Sequence, residues 1–278
     1  MSSPPRIPPR IAFLAAVQFL TRVPVARAMN APELDFREAL KASLLFFPLV
    51  GVLIGLVTTS VYLAACVGWP AWIAALIAVG VEAWITGAFH EDAFADATDA
   101  LGGGWTREQV LEILKDSRHG TYGVLALVLG VSLRVALISQ CNWIEAWLIV
   151  PLSAGLGRWS ILALMMRLEP ILDRHTLARD IGAKPSLRIV LASLAAPLIA
   201  YVGFWLVFLR VGADPTSAAE LISNGVAMLV SLFGAILVTL LYGNLIKRRV
   251  GGVTGDFLGS NCYLVQLSTL LIMTFSIH

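Results

Sequence analysis

Apolar runs of membrane-crossing length, separated by short polar breaks, repeat along most of the chain. At 1.5 Å per helical residue, about 20 residues cover the roughly 30 Å hydrocarbon core of a bilayer. Seven runs are long enough: 42–66, 70–89, 121–140, 145–166, 188–209, 222–245 and 260–277. Backbone groups in lipid find no water, so each run must satisfy its own hydrogen bonds as a helix. The pattern predicts an all-α, polytopic integral membrane bundle of about seven transmembrane helices, a single domain over residues 1–278 without internal repeats. A shorter run, Ile11–Leu20, follows Arg6 and Arg10 and precedes an Ala26-Arg27-Ala28 triplet, which gives it the outline of a cleaved signal peptide. Gln18, Thr21, Arg22 and Pro24 interrupt it before it can span, which favours an interfacial helix. The link Val67-Gly68-Trp69-Pro70 predicts a tight antiparallel pair for the first two spans, with Trp69 and Trp72 near an interface.

Charge sets the orientation. With the N-terminus cytoplasmic, 17 of the 20 Lys and Arg residues fall on the cytoplasmic side, and only Arg210 falls opposite. Arg134 and Arg158 lie inside predicted spans. This positive-inside bias predicts an outward C-terminus, with every charge-rich loop facing the cytoplasm. A composition 58% hydrophobic and 14% charged agrees with a lipid environment. The net charge of +2, with no basic patch, argues against nucleic acid as a partner. Cys66, Cys141 and Cys262 are far apart without metal-ligand spacing and read as small buried apolar residues.

The stretch GAFHEDAFADATDALGGG, residues 87–104, places four carboxylates directly after the second span. If the helix of that span continues past Phe89, Asp92, Asp96 and Asp99 fall at i, i+4 and i+7 on one face, with Glu91 about 100° to one side of Asp92. Acids on one face repel, and at the C-terminal end of a helix they also oppose its dipole. Both costs favour a bound cation over a merely solvated helix end. Oxygen-only ligands suit Mg²⁺, or Mn²⁺, shared with a substrate phosphate.

Gly102-Gly103-Gly104 should end that helix, and Thr106-Arg107-Glu108-Gln109 forms a capping box for the next. On this second, cytoplasmic amphipathic helix, Val110, Leu111, Ile113 and Leu114 oppose a stripe of Glu108, Glu112 and Asp116. It delivers KDSRHGTYG, residues 115–123, to the mouth of the third span, where Lys115 and Arg118 could bind phosphate oxygens opposite the acids. Before the last span, KRRVGGVTGD, residues 247–256, sets three cations ahead of a glycine turn. Backbone N–H groups of Gly252 and Gly255 with Thr254 could hold an anion, and Asp256 could add a metal ligand. Arg158 is a candidate phosphate partner or a bundle-internal partner of Glu82. His90 and His119 flank the acids as candidate proton carriers or as ordinary helix-end residues. Carboxylates that hold a metal opposite cations suit phosphoryl-group or diphosphate chemistry.

In order along the chain, FLTRVP (19–24), His90-Glu91-Asp92 with Asp96 and Asp99, GGG (102–104), LEILKDSR (111–118), GTYG (120–123), Arg158, GGVTGD (251–256) and Leu258-Gly259 resemble the cobalamin synthase family, the adenosylcobinamide-GDP ribazoletransferases or cobalamin-5′-phosphate synthases. The resemblance implies a Mg²⁺-dependent inner-membrane transferase in vitamin B12 synthesis. Such an enzyme joins adenosylcobinamide-GDP to α-ribazole or its 5′-phosphate and releases GMP. It implies Glu91, Asp92, Asp96 and Asp99 as metal ligands and Asp92, Asp96, Asp116 and Arg118 as catalytic. Lys115, Arg118, Arg158 and the Gly252, Thr254, Gly255, Asp256 turn are implied around the phosphates. Substrates and bilayer are the implied partners, with other corrin-pathway proteins and self-association as further candidates. The chain departs from the expected pattern at His119, Ala93-Phe94 and Asn261-Cys262-Tyr263, all beside the implied ligands. It lacks the Asp-Gly…Ala-Arg pattern of CDP-alcohol phosphotransferases and the Asn-Asp-x-x-Asp of UbiA-type prenyltransferases. A divalent-cation transporter would place its acids nearer the middle of the membrane.

Overall fold

The computed structural model describes residues 7–25, 36–116, 118–171, 184–210 and 218–275. Arg27, Arg174 and Arg179 of the basic loops, the Ala26–Ala28 triplet and Ser117 lie outside the described residues. The elements are helices: α1 (Pro9–Leu20), α2 (Phe36–Ser43), a 3₁₀ turn (Leu44–Phe46), α3 (Phe47–Ala65), α4 (Ala71–Thr86), α5 (Phe89–Gly103), α6 (Arg107–Ile113), α7 (Thr121–Ser139), α8 (Trp143–Arg167), α9 (Leu187–Ser193), α10 (Ala195–Arg210), α11 (Ala218–Val250) and α12 (Gly255–Phe275).

Among the described residues, six stretches are long and apolar enough to cross a membrane: Arg37–Ala65, Thr121–Ser139, Trp143–Arg167, Leu187–Arg210, Gly225–Val250 and Gly255–Phe275. The α4–α5 pair raises the count to seven, but only as two helices bent by 89°. The all-α membrane bundle expected from the pattern is therefore present. At 12 residues, about 18 Å, α1 is too short to cross. The fifth crossing is broken at Leu194, one turn before Pro197, whose ring nitrogen cannot donate to the Ser193 carbonyl. The sixth runs on to Val250, so Lys247, Arg248 and Arg249 sit in its last turn, where cations complement the helix dipole. The last begins at Gly255 rather than 260 and carries Asp256 in its first turn.

The centre of the bundle is α8, of whose spanning stretch 94% is buried. It packs most closely on α3 and α12. The approach to α3 depends on Gly51 and Gly55, one turn apart: a Cβ at Gly51 would lie 2.5 Å from the Ala154 carbonyl oxygen, and one at Gly55 2.6 Å from Pro151 Cα. Small residues spaced this way let backbones meet where lipid supplies no hydrophobic drive. The outer faces of α7 and α11 expose Val128, Leu129, Leu229 and Phe233, the apolar surface that lipid requires.

Candidate active site

The acidic helix does not continue the second span, contrary to the reading of 70–89 as one helix leading into it. Gly87 (φ 74°) and Ala88 (φ 55°) both adopt the left-handed conformation. That ends α4 and lets α5 start afresh at Phe89. The N-terminal segment holds the corner. The Arg22 N–H donates to the Ile85 carbonyl (2.7 Å), and a Cβ at Gly87 would overlap the Arg22 guanidinium. Phe19 stacks on Phe47 (5.6 Å) and meets Phe89 edge-on (5.5 Å). The FLTRVP motif thus packs against the origin of the acidic helix. The break also reverses the dipole argument made from sequence. Glu91 and Asp92 stand in a first turn, at the positive end of α5, where anions are favoured.

The four carboxylates go three ways. Asp92 and Asp96 share one face, with Asp92 exposed and Asp96 about one quarter exposed. The His119 ring lies across both, its Nδ1 3.4 Å from Asp96 Oδ1 and its Nε2 3.6 Å from Asp92 Oδ1. Asp256 and Asp99 add further negative charge close enough to act on Asp96. Asp99 itself is buried and accepts a 2.6 Å hydrogen bond from the Gly120 N–H at the N-terminus of α7. A side chain at Gly123 would collide with that carboxylate. Glu91 turns the other way, into the bundle, and meets Arg134 Nη1 at 3.1 Å. Of the four implied metal ligands, the structure brings Asp92 and Asp96 together and engages Glu91 and Asp99 elsewhere.

Arg134 is wholly buried and also pairs with Glu82 on α4, so one guanidinium joins the two helices on either side of the break. Glu82 accepts from Thr58 (2.6 Å) and lies 3.8 Å from Arg158 Nη2. Arg158 donates through Nη1 to Gln266 Oε1 at 3.0 Å. Of the two roles read for Arg158, the structure realises the bundle-internal one. This guanidinium, which the resemblance also implies near the phosphates, is 2% exposed and engaged between Glu82 and Gln266. Two arginines and two glutamates offset each other's charge, as groups withdrawn from water must. His90 lies buried beside the same charges, with neither ring nitrogen hydrogen-bonded.

The loop before α7 reaches the acids as expected. Thr106 and Gln109 form the predicted capping box of α6 (Gln109 N to Thr106 Oγ1 3.3 Å, Thr106 N to Gln109 Oε1 3.2 Å). Val110 and Leu114 are its buried face. Past it, Arg118 and Asp116 pair at 2.7 Å in the open, and Arg118 holds the Asp116 carboxyl down at about 2 through that hydrogen bond. Lys115 is exposed on the same turn. The GGVTGD turn is fastened by a short parallel bridge, Val253 N to Glu169 O (2.9 Å) and Ile171 N to Val253 O (3.1 Å). A Cβ at Gly252 would stand 2.8 Å from the Glu169 carbonyl oxygen. Thr254 is buried and donates to Asp256 Oδ2 at 3.3 Å, ahead of the helix start at Gly255.

Two contacts were not anticipated from sequence. Arg249, read only as one of the three cations ahead of the glycine turn, reaches back to the Leu101 (3.2 Å) and Gly104 carbonyls and closes the C-terminus of α5. Gln266 supports Arg158 and Glu82, and its only sequence signal was a polar side chain inside an apolar span.

Fold and site define a polytopic helical membrane protein whose ionic site is assembled from loops and helix ends on one side of the bundle. The family model described as cobalamin-5-phosphate synthase matches residues 12–274. Among curated relatives, an adenosylcobinamide-GDP ribazoletransferase of Rhizobium etli (strain CIAT 652) is 34% identical over 261 residues, covering 92% of this chain and 93% of the relative. Proteins of the same name from Shewanella sp. (strain W3-18-1) and Shewanella frigidimarina are 34% and 35% identical over 267 residues, covering 92% of this chain and 93% and 94% of their own lengths. No solved structure matches. The chain belongs to the cobalamin-5-phosphate synthase family and is a transferase.

Proposed function

We propose that this enzyme joins adenosylcobinamide-GDP to α-ribazole, or to its 5′-phosphate, and releases GMP. The observation that carries the reading is similarity over nearly the whole chain to relatives that bear that activity as their name. The arrangement of charges is consistent with it: an acidic pair that can hold a cation, a basic turn beside it and a glycine turn below. In this reaction a ribazole hydroxyl oxygen bonds to the phosphorus on the cobinamide side. The bond from that phosphorus to the oxygen of GMP breaks, and the hydroxyl proton is released.

Asp92 and Asp96 fit a divalent ion, Mg²⁺ or Mn²⁺. They are two carboxylates on one helix face, open to solvent on one side, with like charges behind them. When bound, such an ion neutralises the charge that develops on the leaving phosphate. Lys115 and Arg118 would hold the outer phosphate oxygens, and Asp116 would keep the Arg118 fork oriented. The N-terminus of α12, with Gly255 and Asp256, would border the pocket. Asp99 and Glu91 would serve it indirectly, as the residues that dock α5 on α7. The positive-inside count supports a site on the cytoplasmic face of an inner membrane.

The test is GMP release by the purified protein in liposomes given adenosylcobinamide-GDP and α-ribazole 5′-phosphate, with and without Mg²⁺. Release that requires both substrates and the metal, and falls at least ~100-fold in Asp92→Asn, is the expected result. A folded protein that releases no GMP from this pair under any divalent ion refutes the substrate assignment.

A further inference from the structure

One imidazole stands where the two open carboxylates converge, and its geometry is poor for a hydrogen bond. The separations of 3.4 Å and 3.6 Å from His119 to Asp96 and Asp92 exceed the roughly 2.7–3.2 Å of a well-made N–H···O contact. They are made by different ring nitrogens, Nδ1 toward Asp96 and Nε2 toward Asp92, of which an ion would take one. With metal–ligand distances of about 2.1 Å, adjacent donors of an octahedral ion stand ~3 Å apart and opposite donors ~4 Å. One donor atom from each of Asp92, Asp96 and His119 falls within 4.8 Å of the others, the one such group among the described residues.

The imidazole is also held there by the backbone. Its neighbour Gly120 is bonded to Asp99 on α5 (2.6 Å), so the residue before it is pinned over the same helix that carries Asp92 and Asp96. The ring is one third exposed and Asp92 more so, which leaves the remaining coordination positions open to water and to substrate oxygens.

We infer that His119 supplies a nitrogen ligand to the divalent ion at Asp92 and Asp96, and that this mixed set tilts the site from Mg²⁺ toward Mn²⁺. The inference rests on the proposed metal role of the two aspartates. Mg²⁺ takes oxygen ligands and keeps its waters, whereas imidazole is a good donor to first-row transition ions. One nitrogen therefore adds affinity for Mn²⁺ and little for Mg²⁺.

The experiment uses the full chain in lipid nanodiscs, without substrate. Mn²⁺ is titrated and followed by electron paramagnetic resonance, the bound ion is examined for ¹⁴N coupling by electron spin-echo modulation, and Mg²⁺ affinity is read by competition. The expected result is histidine-type nitrogen coupling in the natural protein and its loss in His119→Val. Mn²⁺ affinity should fall ~10-fold or more in that variant, with Mg²⁺ affinity changed less than ~3-fold. Bound Mn²⁺ with no nitrogen coupling in the natural protein, lost in Asp92→Asn but unchanged in His119→Val, overturns this inference and leaves the aspartate site standing. Mn²⁺ binding no better than that of Asp92→Asn overturns both the ligand role of His119 and the metal reading beneath it. The nitrogen signal needs no variant, so a substitution that fails to fold does not blunt the test.

Discussion

Asp99 offers a test that distinguishes a docking carboxylate from a metal-liganding one. Its bond to the Gly120 N–H requires an acceptor oxygen at the start of α7, and an amide oxygen meets that need nearly as well as a carboxylate. Asp99→Asn is therefore expected to keep turnover within ~3-fold of the natural enzyme, while Asp99→Ala loses ~10-fold or more because Gly120 and the His119 loop come free of α5. Steady-state GMP release by the three proteins checks this. An Asn variant as inactive as Asp92→Asn would instead make Asp99 a direct ligand. Gly123→Ala tests the same contact from the other side, since its methyl occupies the space of the Asp99 carboxylate and should cost as much as removing the acid.

At the scale of elements, the corner between α4 and α5 decides where the acids point. Gly87 combines a left-handed backbone with contact against Arg22, so Gly87→Ala is expected to destabilise the protein by about 1–2 kcal/mol. Arg134 braces the corner from within the bundle. Arg134→Met strands Glu91 in the interior, leaves Glu82 with Arg158 at 3.8 Å as its remaining cation, and should cost ~3–5 kcal/mol, read as an earlier unfolding midpoint in mild detergent. Arg134→Lys keeps the charge but loses the fork that spans two carboxylates and should fall between the two. An unchanged midpoint in Arg134→Met would show that the pairing does not hold the corner. The capping box of α6 was legible because both partners lie within four residues of each other. The corner was not, because a Gly-Ala pair inside an apolar run reads as continuous helix until Arg22 and Arg134 are seen packed around it.

For the whole molecule, orientation is open to a direct probe. Cys66 is exposed in the link after α3, whereas Cys141 and Cys262 are buried, so the natural chain carries a built-in reporter. The alternation of spans puts Cys66 on the face opposite the acidic helix. A membrane-impermeant maleimide is expected to label Cys66 in right-side-out cells, and an impermeant blocker added outside should prevent later labelling in lysate. Labelling only in inverted vesicles would reverse the assigned topology and move the site to the outer face.

Some properties of this protein needed no contact between distant residues. The all-α run of apolar helices, the α6 cap, the stop at Gly102–Gly104 and the presence of an acidic segment beside a basic turn follow from local hydropathy, charge and hydrogen bonding, which the chain carries residue by residue. The work each carboxylate does was decided by the tertiary structure. Glu91 meets an arginine 43 positions away, Asp99 meets an amide 21 positions away, and Asp92 and Asp96 are left facing His119. Helical spacing placed three aspartates on one arc, but burial then separated them. A charge turned into the bundle must find an opposite charge or a donor there, and only those still facing water remain available to a metal and a substrate.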